Sequence, residues 1–307
     1  MLLSPAPMHI PDGFLSLPVA LVGWGLTLAL LAAALRRANA ANQLPLMGVL
    51  AAFIFAAQAI NFPVAAGTSG HLIGAALAAI LLGPWRGMLT MTAVVSVQAL
   101  VFQDGGLLVL GWNLFNMAAL ACFTGDLVYR RLGAPQGRRA GAAGFLAGWL
   151  SVMAAAAATS LQLAASGTVA LRLALPAMLG VHALIGVGEG LITAGAVAFL
   201  RGVQPTVLAR PAGASGDRRT AYLLLGLGLA LVLTPLASAS PDGLQRVAQQ
   251  LAFDVKAEVA GTGLSKGYAL SGVSSPTLAT ALAVALGAAL LAGLGWLISR
   301  ALARGES

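Results

Sequence analysis

The stretch Met8-His9-Ile10-Pro11-Asp12-Gly13-Phe14 frames the reading of this chain. A methionine and a histidine stand just ahead of a Pro-Asp-Gly turn, and an apolar run begins at Phe14. Proline presets φ, aspartate can hydrogen-bond its own backbone, and glycine lets the chain reverse. The turn is therefore able to fold His9 back against whatever the apolar run becomes. That run, 14–35, is long enough to cross about 30 Å of hydrocarbon at about 1.5 Å per residue. Arg36 and Arg37 stop it.

The rest of the sequence repeats this pattern. Hydrophobic residues make up 59% of the chain and charged residues only 8%, against roughly 25% charged in soluble domains. A water-soluble globule of that composition would expose large apolar patches. The composition predicts an all-α polytopic membrane protein with about nine transmembrane helices. The remaining spans are read at 46–62, 72–82, 88–102, 107–129, 141–161, 175–200, 221–236 and 277–298, with 72–82 and 88–102 open to being tilted, broken or re-entrant. The net charge of +8 does not point to nucleic acid, because the basic residues fall in short clusters between apolar runs. The single cysteine, Cys122, lies inside an apolar run, which excludes an intramolecular disulfide and reads as a small core residue.

Charge also orients the chain. With the amino terminus outside and the carboxyl terminus inside, outer segments carry only Arg172, Arg246, Lys256 and Lys266 among the 17 basic residues. All the others, including Arg86, Arg130, Arg131 and Arg201, fall inside, as positive-inside bias requires. In this topology His9 precedes the first span on the outer side, and His71 opens the third span from an outer loop of small residues. Two imidazoles delivered to one membrane face by separate loops can share an ion. An ordinary headgroup-facing histidine is the competing reading of His71.

Ionisable groups inside a span are costly and raise functional hypotheses. His182 and Glu189 lie two helical turns apart in the seventh span, on one face. Glu189 reads best as a brace between helices and His182 as a supporting group near an outer cavity. Asn61, Gln98, Asn113, Asn116 and Asp126 also interrupt apolar runs, mostly as interhelical hydrogen-bonding groups, with Asn61 a further candidate support for the histidines. No Gly-x4-Gly-Lys-Ser/Thr loop, His-Glu-x2-His, Gly-x-Ser-x-Gly or Cys-x2-Cys occurs, so the chain carries no motif for ATP hydrolysis or intramembrane hydrolysis. An Arg/Pro/Gly-rich linker, 206–219, separates 8–205 from a two-span tail, 220–304. The tail's long outer segment, 237–275, contains Ser240-Pro241-Asp242-Gly243-Leu244-Gln245, then a stretch with helical spacing through Glu258 and a Gly- and Ser-rich coil, and reads by composition as a solvated loop.

Three segments resemble the CbiM/NikM family, the substrate-binding S components of cobalt and nickel energy-coupling-factor transporters. They are 8–14, Gly67-Thr68-Ser69-Gly70-His71-Leu72-Ile73-Gly74, and Val181-His182-Ala183-Leu184-Ile185-Gly186-Val187-Gly188-Glu189-Gly190-Leu191-Ile192-Thr193. The tail resembles the PDGLE module, a relative of the small N component, except that Gln245 stands where that module usually has glutamate. The resemblance implies an S component, not an enzyme, with no cofactor. Its cargo would be Ni(II) or Co(II), bound by Met8 N, His9 backbone N and the imidazoles of His9 and His71. Four nitrogens in a plane favour Ni(II), and the tail leans the reading toward nickel. It also implies partners in the cell membrane: a transmembrane T component (CbiQ/NikQ-like) and a P-loop ATPase (CbiO/NikO-like). A small-residue stripe of Gly25, Ala29 and Ala33 suits either contact with such a partner helix or packing within the bundle. Two other classes stay open: a stand-alone secondary transporter using His182 and Glu189 as an ion relay, and a structural or sensory membrane protein. If the terminal amine of Met8 is a ligand, the functional polypeptide is expected to start there, since a Pro7–Met8 amide is a far poorer donor.

The orientation is testable without assaying transport. In a Cys122→Ala background, Ser265→Cys should be labelled by an impermeant maleimide on intact cells and Ser307→Cys should not. Labelling of Ser307→Cys alone would invert the topology.

Overall fold

In a computed structural model of the chain, the described residues are 9–38, 43–65, 67–133, 139–203, 227–228, 238, 240–258, 268, 270 and 272–305. Ten helices account for most of them: α1 (Leu17–Arg37), α2 (Leu44–Gln58), α3 (Ala75–Leu82), α4 (Pro84–Phe102), α5 (Leu110–Leu114), α6 (Ala121–Gly133), α7 (Ala140–Ala165), α8 (Leu171–Val203), α9 (Gly243–Gln250) and α10 (Pro276–Gly305). A π-helical segment, Phe115–Leu120, joins α5 to α6 in one rod. A short antiparallel hairpin, β1 (Phe62–Ala65) and β2 (Thr68–Gly70), pairs Phe62 with Gly70 and Pro63 with Ser69.

Among the described residues five helices are long and apolar enough to cross a membrane: α1, α4, α7, α8 and α10. α2 is apolar but shorter. The third expected span, one of the two open to being broken or re-entrant, is short in the structure. Of 72–82 only the eight residues of α3 are helical, about 12 Å of rise, and nearly all of them are buried inside the protein. Gly74 and Gly83, at φ 77° and 88°, break the helix at both ends, a conformation that costs glycine little. The eighth expected span, 221–236, and the linker 206–219 lie outside the described residues apart from Leu227 and Gly228.

Small residues let the helices approach closely. α1 buries Ala20, Gly23, Thr27 and Ala34, and Thr27 Oγ1 donates to the Gly111 carbonyl at 2.6 Å. A Cβ at Gly111 would sit 2.5 Å from Trp24 N. α10 docks on α2 in the same way: a Cβ on Gly295 would lie 2.7 Å from the Gly48 Cα. Such contacts suit helices in lipid, where dispersion and hydrogen bonding hold them together. Arginines close α1 and sit in the first turn of α4 at one end of the bundle. Arg37 stacks over Trp85 at 5.0 Å, and Arg86 donates to the Ala38 carbonyl and to Gln43. α1 runs from Phe14 at the other end, beside the 103–109 turn, to these arginines.

Segment 237–275, read from composition as a solvated loop, is in its described part a packed cover. Leu244, Val247, Ala248 and Phe253 are buried with Ile10, Phe14 and Leu15, and Phe253 meets the Phe14 ring edge-on at 5.0 Å. Glu258 N donates to the Asp12 carbonyl at 2.8 Å. Asp242 caps α9 by accepting from Gln245 N at 2.8 Å, the role its residue type favours.

The first Pro-Asp-Gly turn is held just as firmly. Asp12 accepts from the amides of Leu107, Leu108 and Val109 at 2.9, 3.0 and 3.2 Å. The Asn113 side chain makes two hydrogen bonds to the backbone of Ile10. Asp12→Ala would leave three amides without their acceptor, and each such loss costs about 1–3 kcal/mol. We expect the thermal unfolding midpoint in detergent to fall by several degrees for Asp12→Ala and by less for Asp12→Asn, which keeps one oxygen. Equal midpoints for Asp12→Ala and the native chain would remove the turn from the stabilising framework.

Candidate metal-binding site

His9 is brought in by the turn that Asp12 and Asn113 secure, and His71 by the end of β2. Each arrives against a carboxylate-held segment. Asp104, in the turn after α4, accepts from His9 N at 3.3 Å and lies 3.1 Å from His9 Nδ1 through both its backbone oxygen and its Oδ1. On α8, Glu189 accepts from the amides of Ile73 and Gly74 at 2.6 and 2.9 Å, fixing the loop that follows His71. Both Glu189 oxygens are used in this way, as a brace requires.

These anchors set the two rings 5.9 Å apart between centroids, edge to face. His71 Nδ1 lies 3.1 Å from the Leu72 carbonyl. A carbonyl can only accept, so the proton is on Nδ1 and the Nε2 lone pair is bare. His182 repeats the arrangement, with Nδ1 2.8 Å from the Met178 carbonyl. His9 Nε2 is buried and has no hydrogen-bond partner among the described residues. An imidazole whose Nδ1–H is held by oxygen while Nε2 is bare is oriented for a metal ion.

All three histidines line one cavity of about 70 Å³, together with Asp242. About 10–15 Å³ in this measure admits one water, so there is room for an ion with a few waters and not for a larger metabolite. Asn113, Asn116 and Thr159 make the polar part of the lining, and Ile73, Met178 and Ile185 much of the apolar part. The π-helical segment carries Asn116 and Met117 into this lining, and such segments recur at functional sites. Asn116 is itself fixed by a reciprocal pair of 2.8 Å hydrogen bonds with Gln162.

Electrostatics treat the two imidazoles differently. Burial, reinforced by the neighbouring His9, pulls His71 down to about 4. Burial pushes the Asp242 carboxyl up to about 7. Asp242 Oδ2 stands 3.9 Å from His71 Nε2, which with a neutral ring is proximity without an ion pair. Burial also lowers His9, but Asp104 more than offsets it and leaves His9 raised. A proton and a metal ion therefore compete for that ring.

Of the residues singled out from sequence, His9, His71 and His182 meet at the cavity. Asn61 is buried but outside the lining, and its carbonyl accepts from Ser238 N at 2.7 Å. Met8 lies outside the described residues. Gly25 and Ala29 are exposed and Ala33 is half-buried, on the face of α1 turned away from Gly23 and Thr27. No three His, Cys, Asp or Glu side chains among the described residues converge closely enough to hold an ion alone, so backbone nitrogen or other donors are needed to complete a coordination sphere. Sequence reasoning missed Asp104 and Asp242, both buried at the site. For Asp242 a signal existed: Asp-x-x-Gln before an apolar run is a helix-start pattern.

Comparison with known proteins places the chain in a family. Residues 9–207 match the family model described as CbiM, cobalt uptake substrate-specific transmembrane region. A putative fused nickel transport protein NikMN of Archaeoglobus fulgidus is 35% identical over 95% of this chain and 98% of its own length. A cobalt transport protein CbiM of Sorangium cellulosum is 36% identical over 66% of this chain and 95% of its own. A crystal structure of a truncated transition metal transporter superposes with a TM-score of 0.58 at 34% identity, covering 64% of this chain and 99% of that one. The chain is thus a multi-pass membrane protein of a metal-transport lineage and no enzyme, and it belongs to the CbiM family of cobalt uptake transmembrane regions.

Proposed function

We propose that this chain is the substrate-binding component of an ATP-driven importer of the energy-coupling-factor type, taking Ni(II) or Co(II) from the outer face of the cell membrane. The observation that carries this reading is the convergence of His9 and His71 on one cavity at the end of the bundle opposite Arg36 and Arg37, which close α1. By the positive-inside bias that end is the outer one, with nine spans if α2, α3 and the α5–α6 rod are counted with the apolar segment 221–236.

In this reading the cargo is bound by the imidazoles of His9 and His71, with His182 supporting. Using His9 Nε2 leaves Asp104 in place as the group that orients the ring. Chelation by the His9 amide and its own ring, as the four-nitrogen set requires, can use only Nδ1, because Nε2 faces away from the residue's own backbone. That edge is the one Asp104 now holds through two N–H groups, and the ion would replace their protons. Met8 N would be the further donor in that mode. An all-nitrogen set favours nickel over cobalt by the general order of affinities, and the fused relatives carry nickel in their names.

Nothing in the sequence hydrolyses ATP, so energy would come from a P-loop ATPase through a transmembrane T component. The stripe of exposed Gly25 and Ala29 and half-buried Ala33 on α1 suits close contact with such a partner helix. A relay through His182 and Glu189 is disfavoured, since both Glu189 oxygens are engaged by backbone amides.

Uptake of radiolabelled nickel and cobalt in cells co-expressing both partners tests the reading. His71→Ala should reduce accumulation at least about tenfold, equivalent to about 1.4 kcal/mol of binding. His182→Ala should cost less. Normal accumulation by a folded His71→Ala protein would take His71 out of the site.

A further inference from the structure

We propose that Tyr268, in the C-terminal segment beyond the family match, is a positioning residue of the cargo site, fixing Asp104 and through it the chelating edge of His9. This rests on the reading that His9 binds the cargo.

The geometry is specific. Tyr268 is 1% exposed, and its hydroxyl donates to Asp104 Oδ2 at 2.8 Å. Gln98 Nε2 lies 2.9 Å from the same hydroxyl. An amide nitrogen can only donate, so the phenol accepts from Gln98 and its one proton is directed to Asp104. Asp104 then has one carboxylate oxygen on Tyr268 and the other on His9, which removes its freedom to rotate. Burial, then the adjacent Asp104, pushes the phenol well above its ordinary range, keeping it a donor.

The ring is as well placed as the hydroxyl. It stacks on Phe102 at 5.3 Å and 15°, and meets Phe55 edge-on at 5.9 Å. Phenylalanine would serve that packing equally, so the hydroxyl is the group whose presence needs a reason. The same Gln98 amide donates to Gln58 Oε1 at 2.7 Å, and Gln58 Nε2 donates to the Ile73 carbonyl at 2.6 Å. One buried hydrogen-bonded chain thus runs from the loop that follows His71, through Gln58, Gln98, Tyr268 and Asp104, to His9. The tail supplies the link that joins the two histidine-bearing segments.

The test compares native chain, Tyr268→Phe, Asp104→Asn and the double variant, all full length, by calorimetric titration with Ni(II) and by the ligand-field absorption of the nickel-loaded protein. Tyr268→Phe keeps the ring stack, and its melting temperature is read alongside. We expect a roughly 10–100-fold weaker Kd, the range typical of groups that orient a metal ligand, with a shifted nickel absorption band. Because Tyr268 acts through Asp104, adding Tyr268→Phe to Asp104→Asn should cost little more. A native Kd and spectrum for folded Tyr268→Phe would overturn the inference, and so would losses that simply multiply. Failure of the native chain to bind Ni(II) or Co(II), or native binding by His71→Ala, would overturn the transport reading itself and this inference with it.

Discussion

The Asp104 carboxylate faces two N–H groups of a single residue, the amide and the ring of His9, and the histidine-bearing end of the molecule is arranged around keeping that carboxylate and that histidine in register. A buried anion is costly unless it is hydrogen-bonded, so its partners are what make the position tenable. The chain has only nine acidic residues, and three are spent this way. Asp12 gathers the amides that open α5, Asp104 holds His9, and Glu189 holds the loop after His71. Each is a side chain clasping backbone from a distant part of the sequence. The result is two oriented imidazoles lining one cavity.

That rigidity depends on the bundle beneath it. Helices in lipid gain nothing from hiding apolar faces from one another, so close backbone contact and buried polar pairs must hold them. The glycines at 23, 48, 111 and 295 supply the first, and the Gln58–Gln98 and Asn116–Gln162 pairs the second. α10 packing on α2 ties the tail to the main body. The tail is therefore built into the wall of the site: Asp242 stands near His71, and Gly243 lies against His182.

Much of this was legible before any coordinates. Hydropathy marked the helices because a bilayer demands long apolar runs, and the positions of the arginines placed His9 and His71 at one end. What escaped has a common cause. Asp104, Asp242 and Tyr268 act across separations of about a hundred residues or more, and no local pattern encodes such contacts. The β-hairpin at 62–70 was read as a flexible loop, because its pairing is completed by the tail, whose Pro241 carbonyl accepts from Ser69 N at 2.9 Å. α3 was read as a span open to being broken or re-entrant, because an apolar run of that length looks alike in lipid and in a protein interior. The tail was read as solvated because a polar segment that covers a cavity is polar on its outer side.

The central claim is that His9 and His71 ligate one ion in a site ordered by Asp104. X-ray absorption at the nickel edge of the loaded protein tests it most directly. The account predicts a nitrogen shell with the multiple scattering of two imidazoles, falling to one in His71→Ala. A six-coordinate, oxygen-dominated spectrum without imidazole scattering, or one unchanged by His71→Ala, would contradict it.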